Sequence, residues 1–473
     1  MMDGERPDAA TAWLVNSPLL LALGIVLFGG MLTLAWVANH PGGASGPAAD
    51  LSASLPARLQ TYLTATLWQW ELTGRLPTDG LAAETALTAA RGWEQVGRAS
   101  LDPTVRGRAP LNAAILFALA ADSPRAQRAL AHATAEAVTP AEAAHWRTLA
   151  PLLATPPRPA GRALTGLPPL SSGPLWRARA ALASNDRAAA LQALGPGAAA
   201  GVRAMLALGL MASLVLGILV GAAILALRFG GAISHTLERL PLQRPPPAPW
   251  GPGLALTAIG MTYLLLFALR DLPLPRQADW WVAVSAVALL VSTALVVGVI
   301  LLGLGARPWE WSRLGWHWRG RDVGLGAAGV ILLFPVIWGS TIISRLLFPT
   351  SQEVHPLIPQ IIEADSLLIQ LVIFLLAAGV APLVEETLFR GLLLRGLARV
   401  LPFWPAAAIS AVLFAVVHGQ LVAILPITVL GLLFAGLTWY TGSVVAAATA
   451  HAVFNGVNTL LAILLAWALR GPG

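Results

Sequence analysis

Three charged side chains, Glu385, Glu386 and Arg390, interrupt an apolar run that begins near Leu367. An ionised residue near the centre of a membrane-spanning helix costs roughly 2.5–3.5 kcal/mol, so three together require mutual pairing or a water-filled cavity. A carboxylate there is a candidate general base, because that role needs partial desolvation and a water within reach. The plainer alternative is a helix end whose charges snorkel to the interface. At about 100° per residue, Arg390 lies about 40° around the helix from Glu386 and about 140° from Glu385. The i,i+4 ion pair is therefore open to Glu386 alone, which leaves Glu385 to project into a cavity as the working base. Pro382, three residues earlier, either kinks the span or starts a fresh helix. In the second case both glutamates fall in a first turn, where free N–H groups and the helix dipole favour negative charge.

Two later apolar segments carry further polar groups: Phe414-Ala-Val-Val-His418, and His451-Ala-Val-Phe-Asn455. His451 and Asn455 are four apart and share one helix face, which Asn458 extends. A lone histidine in a membrane helix is more often a hydrogen-bonding contact between helices, but three helices each offering a polar group favour convergence on one site. The chain has no cysteine, which excludes disulfides, thiolate metal sites and cysteine nucleophiles. No Gly-x-Ser-x-Gly turn is present to support a serine nucleophile. Histidines 40, 132, 145, 235, 317 and 355 lie in expected loops or in the helical domain and receive no role.

The elements that must hold these groups are membrane spans. The 473 residues have a mean hydropathy of +0.70, and only 11% are charged, far from the balance of a soluble protein. Runs long enough to cross about 30 Å of hydrocarbon lie near 16–37, 204–227, 253–270, 280–304, 324–347, 367–388, 403–420, 421–440 and 443–469. The expected fold is all-α: a polytopic transmembrane helical bundle of about nine spans with an inserted α-helical soluble domain. Residues 1–37 form a tail and anchor, because a cleaved signal peptide would want a positive start and a shorter apolar core. Residues 38–203 form the soluble domain, with helices expected in 111–120, 125–137, 140–154 and 176–194 from apolar residues at three- and four-residue spacing. Its paired short helices distantly resemble tetratricopeptide repeats without a steady 34-residue period. It is either a docking surface for a protein partner or a packed insert. Residues 204–252 hold the second span and a Pro/Arg-rich linker, and 253–473 the core.

The formal charge of +7 comes from 30 basic residues, all arginine. Basic loops beside membrane spans explain this excess more simply than nucleic acid, which is not an expected partner. Placing 228–252, 305–323 and the Arg395/Arg399 region in the cytoplasm puts 348–366 on the other side. The N-terminus is then cytoplasmic and 38–203 extracytoplasmic. The loop at 307–321 interleaves four tryptophans with four arginines, as an interface segment does.

Glu-Glu-x-x-x-Arg, Phe-x-x-x-His and His-x-x-x-Asn, in this order on successive apolar segments, resemble the CPBP family of intramembrane proteases. This family includes the CAAX-processing prenyl endopeptidase and the bacterial Abi proteins. The resemblance covers about 250–470; the segment 313–319 is similar to the family's loop before the core. It implies hydrolysis of peptide bonds in membrane-associated protein or peptide substrates, in contact with membrane lipid. Glu385 would activate the water with help from His418, and His451 and Asn455 would stabilise the oxyanion. Glu386, Arg390 and Phe414 would support them. The family is also described as metal-dependent, and a zinc ion on Glu385, His418 and His451 would be the corresponding set. Metal-free glutamate chemistry is preferred, since no His-Glu-x-x-His occurs and the ligands come from three helices. Rival readings are a transporter or channel, for which a second copy of the glutamate motif is missing, and an idle scaffold recruiting partners through 38–203. The absence of lysine hints at a GC-rich bacterial genome and a bacterial plasma membrane.

Overall fold

The computed structural model describes residues 47–74, 80–100, 102–158, 170–239, 250–270, 314–348, 357–364 and 366–469, with a few isolated positions besides, and no strand occurs among them. The chain divides into two units. One is Gly43–Ser213 with Val354–Glu363 and Ala462–Gly473; the other is Met1–Gly42, Leu214–Glu353 and Ala364–Leu461.

The first unit opens with α1 (Pro47–Thr73), α2 (Leu81–Ala99), α3 (Pro103–Leu119), α4 (Ser123–Ala135), α5 (Pro140–Arg147) and α6 (Gly173–Ala183). Short polar side chains start three of these helices. The Asp102 carboxylate accepts from the Thr104 N–H, that of Asp122 from Arg125, and Thr139 with Glu142 forms a reciprocal capping box, each ahead of a proline in the first turn. Such caps are worth roughly 1 kcal/mol apiece. Between them run alanine-rich faces, so α2 and α3 bury Ala86, Ala89, Ala90 and the whole stretch Leu111–Ala118. The expected helix over 140–154 stops at Arg147 and continues as a 3-10 turn, Ala150–Leu153, around Pro151. The buried Arg179 guanidinium donates to the carbonyls of Leu152 and Ala154 beside it. Burial lowers its pKa to about 10.

α7 (Arg187–Arg239) and α14 (Val444–Leu469) each cross the division between units. The second unit otherwise contains α8 (Pro252–Arg270), α9 (Gly320–Leu347), α11 (Leu367–Ala398), α12 (Phe403–Val416) and α13 (Ile424–Thr441); the short α10 (Leu357–Glu363) belongs to the first. Among the described residues, five helices are long and apolar enough to cross a membrane: Arg187–Arg228 within α7, α9, α11, Leu421–Thr441 and α14. Two shorter apolar helices, Pro252–Leu264 and α12, match the runs expected at 253–270 and 403–420. The spans expected at 280–304 and, apart from a few positions, 16–37 lie outside the described residues, as do the Pro/Arg linker over 240–249 and the loop up to Arg313. This is an all-α integral membrane protein: Val336, Ile342, Leu346, Leu368, Leu375 and Trp404 stand outward and exposed, where water would be a poor solvent for them.

α11 is the axis of the core. Every side chain from Glu386 to Leu397 is buried, flanked by Trp250, Leu254 and Ile259 of the α8 region, Phe414 of α12 and Phe434 of α13. Pro382 neither breaks α11 nor starts a new helix, which corrects the first-turn expectation for the glutamates. The backbone stays helical from Leu367 to Ala398, with one π-helical segment before the proline, Leu376–Val380, and another after the glutamates, Thr387–Leu394. The wider turn makes room for a ring that would otherwise meet the carbonyl four residues back. Arg395 belongs to this buried helix and is not a loop charge: its Nη2 donates to the Gly442 carbonyl at 3.1 Å.

Candidate active site

Glu386 is the junction of the site. Its Oε1 accepts from Arg390 Nη1 at 3.1 Å and from His451 Nδ1 at 2.9 Å, and both the glutamate and the arginine are fully buried. The other face of His451 carries Nε2 to 3.9 Å from Glu385 Oε2. That distance exceeds a hydrogen bond and suits a bridging water. A chain of four ionisable groups results: Arg390, Glu386, His451, Glu385. The two carboxylates differ in access, Glu385 being 21% exposed and Glu386 sealed. Glu385 Oε2 has no hydrogen-bond partner among the described residues.

A guanidinium buried this deeply needs more than one anion. Arg390 Nη2 donates to the Gly431 carbonyl at 3.1 Å, and its carbon lies over the rings of Phe414 at 4.3 Å, Phe434 at 5.0 Å and Phe389 at 5.9 Å. Aromatic faces attract a desolvated cation by about 2 kcal/mol in favourable cases. Gly431 is where α13 presses on α12: a Cβ there would lie 3.0 Å from the Ala411 backbone, so only glycine brings that carbonyl within reach of Arg390.

Phe414 is central rather than peripheral. Its ring stands edge-on to His418 (5.0 Å), His451 (5.7 Å) and Phe389 (5.1 Å), while His451 stacks on Phe434 at 5.0 Å. His418 was expected inside a span over 403–420. It lies instead in the turn after α12, which ends at Val416 because Gly419 takes a left-handed conformation with φ +68°. Its Nδ1 bonds the Phe414 carbonyl at 2.7 Å. A carbonyl only accepts, so Nδ1 carries the hydrogen and Nε2 is the basic nitrogen of the neutral ring. Asn455 extends from α14 to α11, where its Nδ2 donates to the Ala377 carbonyl at 2.9 Å. Asn458 turns back on its own helix, donating to Phe454.

Among the described residues, no three His, Asp or Glu side chains gather where they could hold a metal ion. Glu385 and His451 face each other, but the Phe414 ring packs against both histidines in edge-on contact.

Several residues at the site escaped the sequence reading. Tyr263 on α8 is close enough to Glu385, Arg390 and Glu386 to interact electrostatically with all three. A lone tyrosine in the apolar run 253–270 was the available signal. Phe434 and Gly431 carry no signal beyond an apolar helix. The loop Leu314–Arg319 is tied to the site's far edge: Trp316 Nε1 donates to Thr387 Oγ1 at 3.1 Å, and the Val444 N–H donates to Gly315 O at 2.8 Å.

No curated protein and no solved structure matches the chain. Residues 367–457, which hold all three motifs, match the family model described as type II CAAX prenyl endopeptidase Rce1-like. The four-group chain on α11 and α14 and the ring between the two histidines all fall inside that stretch, which is thus the part of the chain similar to the CAAX prenyl endopeptidase family.

Proposed function

We propose that the protein is an intramembrane endopeptidase in which Glu385 activates water against a peptide bond of a membrane-associated substrate. The observation that carries this reading is the chain Arg390–Glu386–His451–Glu385, buried in a helical core yet open at Glu385. Burying charge without compensation is costly, so the group must be neutral as a whole. Arg390 and Glu386 cancel. Glu385 and His451 then share one proton, a supply of acid and base at a single point.

With that proton on His451 Nε2, the Glu385 carboxylate takes a proton from water while the oxygen attacks the scissile carbonyl carbon. The imidazolium N–H faces the developing oxyanion, a placement typically worth about 2.7–4 kcal/mol. Glu385 then passes its proton to the amine as the carbon–nitrogen bond breaks, giving a carboxylic acid and an amine. Glu386 holds His451 in the required orientation through Nδ1, as a buried carboxylate orients the histidine of a hydrolase triad. His418 Nε2 is a second acceptor for the attacking water. The basic segments 228–252 and 305–323 support a cytoplasmic N-terminus with 38–203 outside, and the absence of lysine supports a bacterial plasma membrane.

The test is cleavage of membrane-anchored peptides, prenylated and unprenylated, by the purified protein in liposomes. Glu385→Ala and His451→Ala should abolish turnover while the protein stays folded. Full activity in Glu385→Ala would overturn the mechanism, and ion flux that follows the same substitutions without proteolysis would replace it with a transporter.

A further inference from the structure

Pro382 leaves a defect that another helix repairs. In the π-helical segment before it, the Ala381 N–H reaches back five residues to the Leu376 carbonyl. The next donor in this register belongs to residue 382 and should serve Ala377. Proline has no N–H, so the Ala377 carbonyl, on a residue 8% exposed in an apolar core, loses its backbone partner. The Asn455 amide occupies that position, donating Nδ2 to Ala377 O at 2.9 Å. Gly456 next to it brings the helices close: a Cβ there would sit 3.6 Å from Ala378 Cβ and 3.7 Å from the Phe374 ring. One turn earlier on α14, His451 bonds Glu386. α14 thus grips α11 on both sides of Pro382, at Ala377 and at Glu386, and Glu385 lies between the two grips.

We propose that Asn455 is a positioning residue, which clasps the carbonyl orphaned by Pro382 and so fixes the direction in which Glu385 projects. This rests on the peptidase reading only for its consequence in catalysis. The contact itself explains why a proline three residues before a buried glutamate pair coexists with an unbroken helix: the wide turn accepts the ring, and the asparagine accepts the duty of the missing donor. It also assigns one hydrogen of the Asn455 amide to the scaffold rather than to substrate.

The experiment is a cycle of Asn455→Ala, Pro382→Ala and the double variant in the full-length protein, read by thermal unfolding in detergent and by kcat and KM for an anchored peptide. Asn455→Ala should lower Tm by several degrees and reduce kcat by up to roughly 100-fold through misplacement of Glu385, with KM little changed. Pro382→Ala restores an N–H that falls on Ala377 O in the π-helical register. The double variant should therefore recover most of the Tm and kcat lost in Asn455→Ala. If Asn455→Ala cannot be purified folded, recovery of folded protein by adding Pro382→Ala is the readout. Losses that simply add, or a kcat defect with unchanged Tm that Pro382→Ala leaves untouched, overturn the clasp and return Asn455 to the oxyanion. If the wild type cleaves no peptide, the peptidase reading fails, and the Tm cycle alone still decides the clasp.

Discussion

At the scale of residues, the site is a problem in burying charge. Glu386 and Arg390 are both fully enclosed, and each is tolerable only because the other is present. Glu386→Gln should destabilise the protein by about 3–5 kcal/mol, since Arg390 is left as a lone cation. Glu386→Gln combined with Arg390→Gln should recover much of that loss. Thermal unfolding in detergent measures both, and equal losses in single and double variants would contradict the pairing. Phe414→Leu keeps an apolar side chain but shrinks it and removes the ring under Arg390 and between the histidines. We expect a loss of about 2–4 kcal/mol in stability, combining cavity and cation–π contributions, and slower cleavage, checked by the same melt and by the peptide assay. Much of this was legible beforehand. Helical spacing separates Glu386, paired with Arg390, from Glu385, and both the i,i+4 angle and the buried pair agree on that. What spacing cannot give is contact across helices. Nothing in the sequence says that His451 bonds Glu386, that Arg390 reaches Gly431, or that Asn455 meets the Ala377 carbonyl, because each depends on how α13 and α14 cross α11.

At the scale of elements, the two π-helical segments of α11 show where sequence rules fall short. A proline in an apolar run predicts a kink or a break, yet the helix persists with a wider turn whose carbonyls are served from outside. Ser410 donates to Phe389 O and Trp250 to Leu392 O within the second segment. The Leu314–Arg319 loop is a second such case. Read from composition it is an interfacial belt, but it packs against the core: Gly315 adopts φ +90° where a Cβ would strike the Arg395 guanidinium, and Ser443 Oγ donates to His317 O at 2.9 Å. The His317 ring is held below its usual pKa by burial, then by Arg395 and Arg319. A lowered folded pKa means that the unfolded chain binds the proton more readily. Stability contributed by this loop is therefore present above the ordinary histidine pKa of about 6.5 and is lost as pH falls below it. The Tm of the wild type should drop on acidification through this window, and His317→Asn should flatten that part of the profile. An unchanged profile in the variant would show that His317 is not the group responsible.

At the scale of the whole molecule, the described membrane helices invert the usual sorting of residues. Ionised and polar groups lie inside, at Glu386, Arg390, Arg395 and His451, while Val336, Ile342 and Leu368 face outward. Hydropathy made the all-α membrane class legible, because an apolar helix needs only length and composition to be recognised. It could not fix the span ends: α12 stops at Val416, two residues short of His418, for the local reason that Gly419 turns left-handed. If lipid is the solvent of the outer surface, then Val336, 54% exposed near the middle of α9, contacts hydrocarbon. An aspartate there would meet the insertion cost of roughly 2.5–3.5 kcal/mol that applies to a charge at a helix centre, with no partner to offset it. In a water-facing helix the same change would be within about 0.5 kcal/mol of neutral. Val336→Asp should accordingly lower the amount of protein recovered in carbonate-washed membranes and depress its Tm in detergent, whereas Val336→Leu should do neither. Wild-type recovery and stability for Val336→Asp would mean that this face of α9 does not meet lipid, and that another surface covers it.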